Sequence, residues 1–203
     1  MFIFLSLPTQ PKLVFNDELF DRVAAKYGEA SAQRVRIWQE MLISLNKETK
    51  EDQLFEVNSF FNKLEFKDDI EHWGQNDYWA TPVEFLATQA GDCEDYTIAK
   101  YFSLVELGIP SEKLRLMYVT ALRPRQAHMV LSYYDTPTSI PLILDNINKR
   151  ILPANQRRDL IPIYSFNGNG LWLAKSQGRG KQVQSGGNNS LWEDLNIRMK
   201  QEN

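Results

Sequence analysis

The hydrophobic periodicity of the chain changes once, near residue 110, and this change constrains the fold more than any other feature of the sequence. Before it, apolar residues recur at the three- and four-residue spacing of amphipathic helices. After it, short runs rich in Val, Ile, Leu and Tyr are separated by turn-forming residues, a pattern typical of successive antiparallel strands. The order predicts an α+β fold in which N-terminal helices and a central helix pack on an antiparallel sheet.

The helical part is predicted to span about residues 16–108. Asn16 is a suitable cap for a first helix that ends near Gly28, and Ser31 is a suitable cap for a second helix. A third helix is predicted from the apolar spacing over residues 54–64.

Two further helices are predicted from their end signals. Thr81-Pro82-Val83-Glu84 is a capping box with proline at the first helical position, and it predicts a short helix from Pro82 to about Gln89. After the break at Ala90-Gly91, a longer helix is predicted from about Cys93 to Gly108, a glycine suited to the helix end.

The sheet part is predicted to span about residues 114–175. Segment 176–190 is rich in Gly, Gln, Asn and Ser, which indicates a flexible linker, and Leu191–Lys200 is predicted to be a short helix. The predicted strands are Leu114–Thr120, His128–Tyr134, Pro141–Asp145 and a hairpin formed by Ile161–Phe166 and Leu171–Ala174.

Length and composition predict a single globular domain over residues 1–203. The chain is 43% hydrophobic with a net charge of −3, and it has no basic block of the kind that binds nucleic acid. No apolar run reaches the roughly 18 residues that a membrane span needs. Residues Met1 to Leu7 are apolar but too short for a complete signal peptide, so composition leaves cytoplasm and periplasm open.

Cys93 is the only cysteine in the chain, and its predicted place is the start of a helix. The unpaired amides and dipole of a helix N-terminus favour a thiolate, and the same amides can bind the oxyanion of a tetrahedral intermediate. His128 and Asp145 lie on predicted neighbouring strands, so a thiol nucleophile, its base and an orienting acid are all available. Taken singly, each residue also has an ordinary explanation, as a small buried side chain, a core histidine and a turn former.

Three acids flank the cysteine: Asp92, Glu94 and Asp95. Acids in a first turn are favourable to the helix dipole, but three of them repel one another and disfavour a thiolate. At about 100° per residue, Asp92 and Asp95 lie near each other and away from Cys93. Clustered carboxylates suit Ca²⁺, with further oxygens supplied by carbonyls, water or the Asn76-Asp77 segment, and a bound cation would offset their charge.

Four segments of the chain resemble the bacterial transglutaminase-like cysteine proteases of the LapG type. The resemblance extends from about Phe66 to Leu173 in order and with compatible spacing. The segments are Trp79-Ala80-Thr81-Pro82-Val83-Glu84, Gly91-Asp92-Cys93-Glu94-Asp95-Tyr96, Ala127-His128-Met129-Val130-Leu131 and Leu144-Asp145-Asn146.

The resemblance implies a transglutaminase- and papain-like fold and a periplasmic, calcium-dependent cysteine endopeptidase. It implies cleavage of a large surface adhesin near its N-terminus at a di-alanine site, which disperses biofilm. A LapD-type inner-membrane receptor for cyclic di-GMP is implied as the partner that sequesters the protease. Carried over by position, Cys93 is the nucleophile, His128 the base and Asp145 the orienting acid, while Asp92, Glu94 and Asp95 bind calcium.

Two other functions stay open at this point. The same three residues suit a transglutaminase-like acyl transferase, which would give an adduct with an amine acceptor rather than free termini. A non-catalytic binding module on the same fold is the third possibility. For a protease, the bulky rings of Trp73, Tyr78 and Trp79 are expected to narrow the substrate cleft so that it accepts only alanine-sized side chains.

Overall fold

The computed structural model describes residues 15–168, 170–173, 182–185 and 190–202. The helices in these ranges are α1 (Asp17–Tyr27), α2 (Glu29–Leu45), α3 (Lys50–Phe61), α4 (Asp69–His72), α5 (Pro82–Thr88), α6 (Cys93–Glu106) and α7 (Ser190–Glu202). The strands are β1 (Glu65–Phe66), β2 (Ala90–Gly91), β3 (Leu114–Leu122), β4 (Arg125–Tyr133), β5 (Leu142–Leu144), β6 (Leu152–Pro153), β7 (Leu160–Asn167), β8 (Gly170–Leu173) and β9 (Gln182–Ser185).

The main sheet is antiparallel, with strand order β6-β5-β4-β3-β7-β8-β9. The strands β1 and β2 form a separate parallel pair, and β2 lies immediately before α6. Helices precede the sheet in the chain, and α6 packs on β3 and β4. The predicted α+β architecture is therefore confirmed.

Helix α6 lies in the centre of the hydrophobic core. Its side chains Ile98, Ala99 and Leu104 are fully buried in one cluster that includes residues of the other helices and of the sheet. Helix α7 closes the far side of this cluster, where the ring of Trp192 stacks on Phe102. Because α6 contacts both layers, it fixes the position of its own N-terminus relative to β4.

Most predicted helix ends are confirmed by their hydrogen bonds. Asn16 caps α1 through its side chain, and the Thr81–Glu84 capping box opens α5. Gly108, at φ +85°, follows α6 in the left-handed region that favours glycine. The chain closes α6 there, because the amide of Ile109 donates to the Leu104 carbonyl at 3.0 Å.

The predicted cap at Ser31 is wrong. Helix α2 already begins at Glu29, because Gly28 adopts φ +91° and turns the chain into the helix without a side-chain cap. The Ser31 hydroxyl instead donates to the carbonyl of Ala87 at 2.8 Å and ties α2 to α5. The third helix is also displaced, since Thr49 caps it and it spans Lys50–Phe61.

The segment 176–190 is not wholly the linker that its composition predicts. Within it, Gln182–Ser185 form β9, which pairs with β8 through backbone hydrogen bonds that do not depend on side-chain type. Residues 174–181 and 186–189 of the predicted linker and hairpin lie outside the described residues, as does the apolar stretch Met1 to Leu7. The terminal helix is confirmed as α7, and the division into a single domain stays a prediction.

In the part of the chain that the structure describes, none of the helices combines the length and the apolarity that crossing a membrane requires.

Replacing Leu104 with alanine is expected to lower the free energy of unfolding by about 2–5 kcal/mol, because the side chain is fully buried in α6 and leaves a cavity. The matched control is Ile37→Ala on α2, where the side chain is 45% exposed and the change is expected to stay within about 0.5 kcal/mol. Urea unfolding of both variants measures the difference, and equal losses would contradict the central place of α6 in the core.

Candidate active site

Cys93 is the first residue of α6, as the sequence predicts, and a capping box fixes this helix start. The Asp92 carboxylate accepts from the amide of Glu94 at 3.2 Å, and the Asp95 carboxylate accepts from the amide of Asp92 at 3.3 Å. These bonds satisfy amides that the helix itself leaves unpaired. The thiol is therefore carried at a rigid helix N-terminus.

His128 and Asp145 form a buried pair at the centre of the sheet. His128 lies in β4 and Asp145 directly follows β5, and these strands are hydrogen-bonded neighbours. His128 Nε2 lies 2.8 Å from Asp145 Oδ1, with the two residues only 1% and 2% exposed. The structure thus brings together two of the three residues predicted for the triad.

Arg157 is a partner of Asp145 that the sequence did not reveal. Its Nη2 donates to Asp145 Oδ2 at 2.6 Å, and the amide of Ile147 donates to Oδ1 at 2.9 Å. Burial alone would raise the pKa of Asp145, but the hydrogen bonds and charge of His128 and the Arg157 guanidinium hold it well below its usual range. Asp145 is consequently an anion, which favours the tautomer in which His128 Nε2 carries the proton of their hydrogen bond and Nδ1 carries none.

The Cys93 thiol contacts β4 at the backbone of Met129, the residue after His128. Hydrogen bonding by this backbone lowers the thiol pKa slightly. Larger effects oppose it. Burial raises the thiol pKa most, and the nearby charges of Glu94 and Asp92 raise it further, so that it lies well above its ordinary value. The thiol donates to Glu94 Oε2 at 2.7 Å. The expectation that the flanking acids disfavour a thiolate at this helix N-terminus agrees with the arrangement of charges.

The predicted acidic cluster forms, with a change of membership. Asp92 and Asp95 lie together as predicted, and the carboxylate that joins them is Asp69 of α4, with ligand atoms of all three within 4.8 Å of one another. Glu94 instead forms a group with Asp92 and the Cys93 thiol. Its Oε1 also accepts from the Tyr118 hydroxyl at 3.4 Å.

The chemistry of the Asp69, Asp92 and Asp95 group fits a cation. Asp69 is buried, and its Oδ1 has no hydrogen-bond partner in the described structure. Burial and the neighbouring acids raise the pKa of Asp69 to about 6 and that of Asp92 to about 10, which expresses how unfavourable these charges are without a positive partner. Clustered hard oxygens of this kind suit Ca²⁺.

Glycine at position 91 permits this cluster. A Cβ on Gly91 would lie 2.2 Å from Asp95 Oδ2, so any side chain there would displace the Asp95 carboxylate. The Asp95 carboxylate also accepts from the amide of Ala80 at 2.8 Å, and Asp69 Oδ2 accepts from the amide of Tyr78 at 2.5 Å. Residues 78–80 therefore orient two of the three acids.

Helix α7 holds residues 78–80 from outside the site, a contact that the sequence did not predict. Arg198 Nη2 donates to the carbonyl of Trp79 at 2.6 Å, and its Nη1 forms an ion pair with Glu84. The guanidinium also lies 4.6 Å from the centre of the Tyr78 ring. The acidic cluster is thus supported by the C-terminal helix.

The predicted substrate-contact rings do not all face a cleft. Trp79 is 1% exposed and stacks on Phe166 in the core at 5.7 Å, so its proposed role in narrowing the cleft is wrong. Trp73 and Tyr78 are half-buried with ring centres 4.6 Å apart. The Tyr78 hydroxyl also donates to Glu84 at 3.0 Å, whereas Trp73 Nε1 has no hydrogen-bond partner in the described structure.

Lys100, in α6, is a buried amine behind Asp145. It is 1% exposed, and its Nζ donates to Asn62 Oδ1 at 2.8 Å. Burial lowers its pKa to about 7 against the attraction of Asp145, and the charge of Lys149 lowers it further. No local sequence pattern marks a lysine inside an apolar helix face as part of a site, and it was missed for that reason.

Comparison with known proteins agrees with this geometry. Residues 25–174 match the family described as bacterial transglutaminase-like cysteine proteinases. The chain belongs to this family. Calcium-bound LapG of Legionella pneumophila is 44% identical, with 90% of this chain and 98% of that chain covered and a TM-score of 0.78. EGTA-treated LapG of the same organism is 43% identical, with 93% and 99% covered and a TM-score of 0.78. No curated protein matches the chain.

These LapG structures bear on the acidic cluster of this family member, because one of them is calcium-bound and another was treated with a calcium chelator. They support the relevance of calcium, while the residues that hold it here are inferred from the described geometry. The roles of Cys93, His128 and Asp145 in a reaction stay predictions.

The pH dependence of stability is expected to report the burial of Lys100. Its pKa is about 7 in the folded protein and 10.5 in its ordinary state, so between these values the unfolded chain binds more protons. This contribution to the free energy of unfolding therefore rises with pH from about 7 to 10.5 and is least favourable below 7. Urea unfolding at pH 6.5 and 9.5 measures it: wild type should gain stability relative to Lys100→Met at the higher pH. A difference independent of pH would contradict the lowered pKa.

Proposed function

We propose that this chain is a calcium-dependent cysteine endopeptidase in which Cys93 is the nucleophile, His128 the general base and Asp145 the orienting acid. The observation that carries the proposal is the buried 2.8 Å hydrogen bond between His128 and Asp145. His128 lies on β4, and the backbone of the following residue, Met129, contacts the Cys93 thiol. Membership of a cysteine proteinase family supports this assignment.

The proposed reaction follows from the hydrogen-bond pattern. Because Asp145 holds the proton on His128 Nε2, Nδ1 takes the thiol proton as sulfur attacks the peptide carbonyl. The backbone amide of Cys93, which the capping box does not use, stabilises the oxyanion, and His128 returns the proton to the departing amine. Water then attacks the thioester, giving up a proton to His128, and releases the new carboxyl terminus and the free thiol.

Asp69, Asp92 and Asp95 are the residues proposed to hold calcium. When bound, the ion supplies positive charge at the N-terminus of α6, where acids now raise the thiol pKa. The Glu94 carboxylate accepts from the thiol at 2.7 Å, so the positive charge of a bound ion would offset the negative charge of this acid beside the thiol. Compared with the set predicted from the sequence, Asp69 takes the place of Glu94, which groups with Asp92 and the Cys93 thiol.

The proposed substrate is the N-terminal region of a large cell-surface adhesin, cleaved at a di-alanine site in the periplasm to promote biofilm dispersal. The proposed partner is a LapD-type inner-membrane receptor that sequesters the protease under cyclic di-GMP control. The support is the similarity to LapG over nine-tenths of the chain. Of the rings first proposed for substrate selection, Trp73 and Tyr78 keep this role as a proposal.

Replacing Cys93 with alanine is expected to reduce adhesin cleavage below detection, because no other thiol exists in the chain. His128→Ala should be nearly as severe and Asp145→Asn should lose much of the activity, while combined variants should cost little more than the worst single change. Electrophoresis of a purified adhesin N-terminal domain measures cleavage, with the melting temperature as the folding control. Continued cleavage by Cys93→Ala would contradict the mechanism, and a covalent adduct with an added amine would instead indicate an acyl transferase.

Calcium is expected to raise the melting temperature of the metal-stripped protein. At a calcium concentration one hundred times Kd, the free energy of unfolding should increase by about 2.7 kcal/mol. Magnesium should act poorly because it demands octahedral geometry and keeps its waters. Asp69→Asn should weaken calcium binding at least about tenfold, whereas Asp68→Asn, on the exposed neighbouring residue, should not. Titration calorimetry of the three proteins decides it, and unchanged affinity in Asp69→Asn would remove Asp69 from the ligand set.

A further inference from the structure

Helix α6 reaches the candidate triad at two points. Cys93 is its first residue, and Lys100 follows seven residues later, which is two turns along the same side of the helix. Lys100 lies in the interior, where its Nζ donates to Asn62 Oδ1 at 2.8 Å. Helix α6 thus carries both the proposed nucleophile, Cys93, and the amine that donates to Asn62 Oδ1, Lys100.

Asn62 passes this contact to Asp145. The residue follows α3 and is buried, and its Nδ2 donates to the main-chain carbonyl of Asp145 at 2.8 Å. Its own carbonyl accepts from Lys149 Nζ at 2.9 Å, and Asn58 Nδ2 donates to the carbonyl of Lys149 at 2.9 Å. The end of α3 therefore grips the segment after β5 at both Asp145 and Lys149.

These contacts are needed because β5 ends at Leu144, so its hydrogen bonds to β4 do not fix the main chain of Asp145. The ladder between β4 and β5 runs from the Leu131–Leu144 pair to the Tyr133–Leu142 pair, so Asp145 lies beyond it. Arg157 fixes the carboxylate of Asp145, but the main chain from which that carboxylate projects is held by Asn62. A displacement of this carbonyl would redirect Oδ1, which lies 2.8 Å from His128 Nε2.

A buried amine is an expensive way to fill space. Removing a lysine from water disfavours its charge, and an unpaired polar group in the interior costs several kcal/mol unless it is hydrogen-bonded. The charged or polar groups that face Lys100 are Asp145, which attracts it, Lys149, which repels it, Asn62, and the Tyr96 ring at 5.7 Å. A methionine would fill the same volume without the desolvation, so the hydrogen bond to Asn62 is the feature that requires an amine.

We propose that Lys100 and Asn62 are positioning residues that fix the main chain of Asp145 and so aim its carboxylate at His128. Lys100 orients the Asn62 amide, since an ammonium or amine donor holds Oδ1 and leaves Nδ2 to face the Asp145 carbonyl. The inference rests on the proposed function of the triad, and it adds two residues that touch none of the reacting atoms.

Two variants separate the links of this relay. Lys100→Met removes the donor to Asn62 at similar volume. Asn62→Asp keeps an acceptor for Lys100, and hence a buried partner, but loses the donor to the Asp145 carbonyl. The matched control is Ser103→Ala, a buried position on the same helix whose hydroxyl accepts from Trp38 Nε1 at 2.9 Å and has no route to Asp145.

We expect each relay variant to lower kcat for adhesin cleavage about 10- to 100-fold with little change in KM, because binding groups are untouched. The kcat of the double variant should be no lower than that of the less active single variant, because both changes break the same path of contacts. Ser103→Ala should keep kcat within about twofold even if loss of its hydrogen bond with Trp38 lowers the melting temperature. Additive losses, or an equal loss in the control, would overturn the relay and indicate general destabilisation.

A second readout does not depend on any substrate. The chain has two histidines, so nitrogen-15 labelling of histidine resolves the Nε2-bound proton of His128 with His72 as an internal reference. In both relay variants this resonance should move upfield and broaden as the bond to Asp145 lengthens, while Ser103→Ala leaves it unchanged. An unmoved resonance in folded Lys100→Met and Asn62→Asp would overturn the inference. Failure of the wild type to cleave any adhesin would instead count against the proposed function, and the resonance test would still stand.

Discussion

Crowding of negative charge at the start of α6 is the constraint on which the rest of the site depends. Asp69, Asp92 and Asp95 bring ligand atoms within 4.8 Å of one another in a largely buried setting, where like charges repel more strongly than in water. The fold keeps them there with backbone donors, the amides of Tyr78 and Ala80 among them. Arg198 of α7 in turn donates to the carbonyl of Trp79, which lies between those two residues, so a stabilising chain of contacts connects the C-terminal helix to the N-terminus of α6.

Features that depend on neighbours in the sequence were predictable. The Thr81–Glu84 capping box, the start of α6 at Cys93 and the glycine after its end are set by interactions within one or two helical turns, and the structure has each of them. The strand pattern likewise places His128 on β4 and Asp145 at the end of the adjacent strand β5, and the two side chains are in contact there. Local chemistry therefore indicated the fold class and the core of the candidate site.

Features that depend on tertiary contact were not predictable. Asp69, Arg157 and Lys100 lie far in sequence from the groups that they contact, and no spacing rule connects them. Trp79 was misplaced because an aromatic ring near a motif suits a cleft and a core equally, and only its 1% exposure separates the two. Strand β9 was missed because an edge strand forms through backbone pairing with β8, while its polar composition is that of a linker.

The two halves of the candidate site differ in where their compensating charge comes from. The His128–Asp145 pair has its own counter-charge, because Arg157 donates directly to Asp145 and keeps that carboxylate ionised without any ion. The Cys93 thiol has no such cationic partner among the described residues, and burial together with the charges of Glu94 and Asp92 holds its pKa high. A cation at Asp69, Asp92 and Asp95 would therefore act on the nucleophile and leave the base and its orienting acid as they are. Such an ion would control one side chain through its electrostatic surroundings, while the fold itself assembles the His128–Asp145 pair.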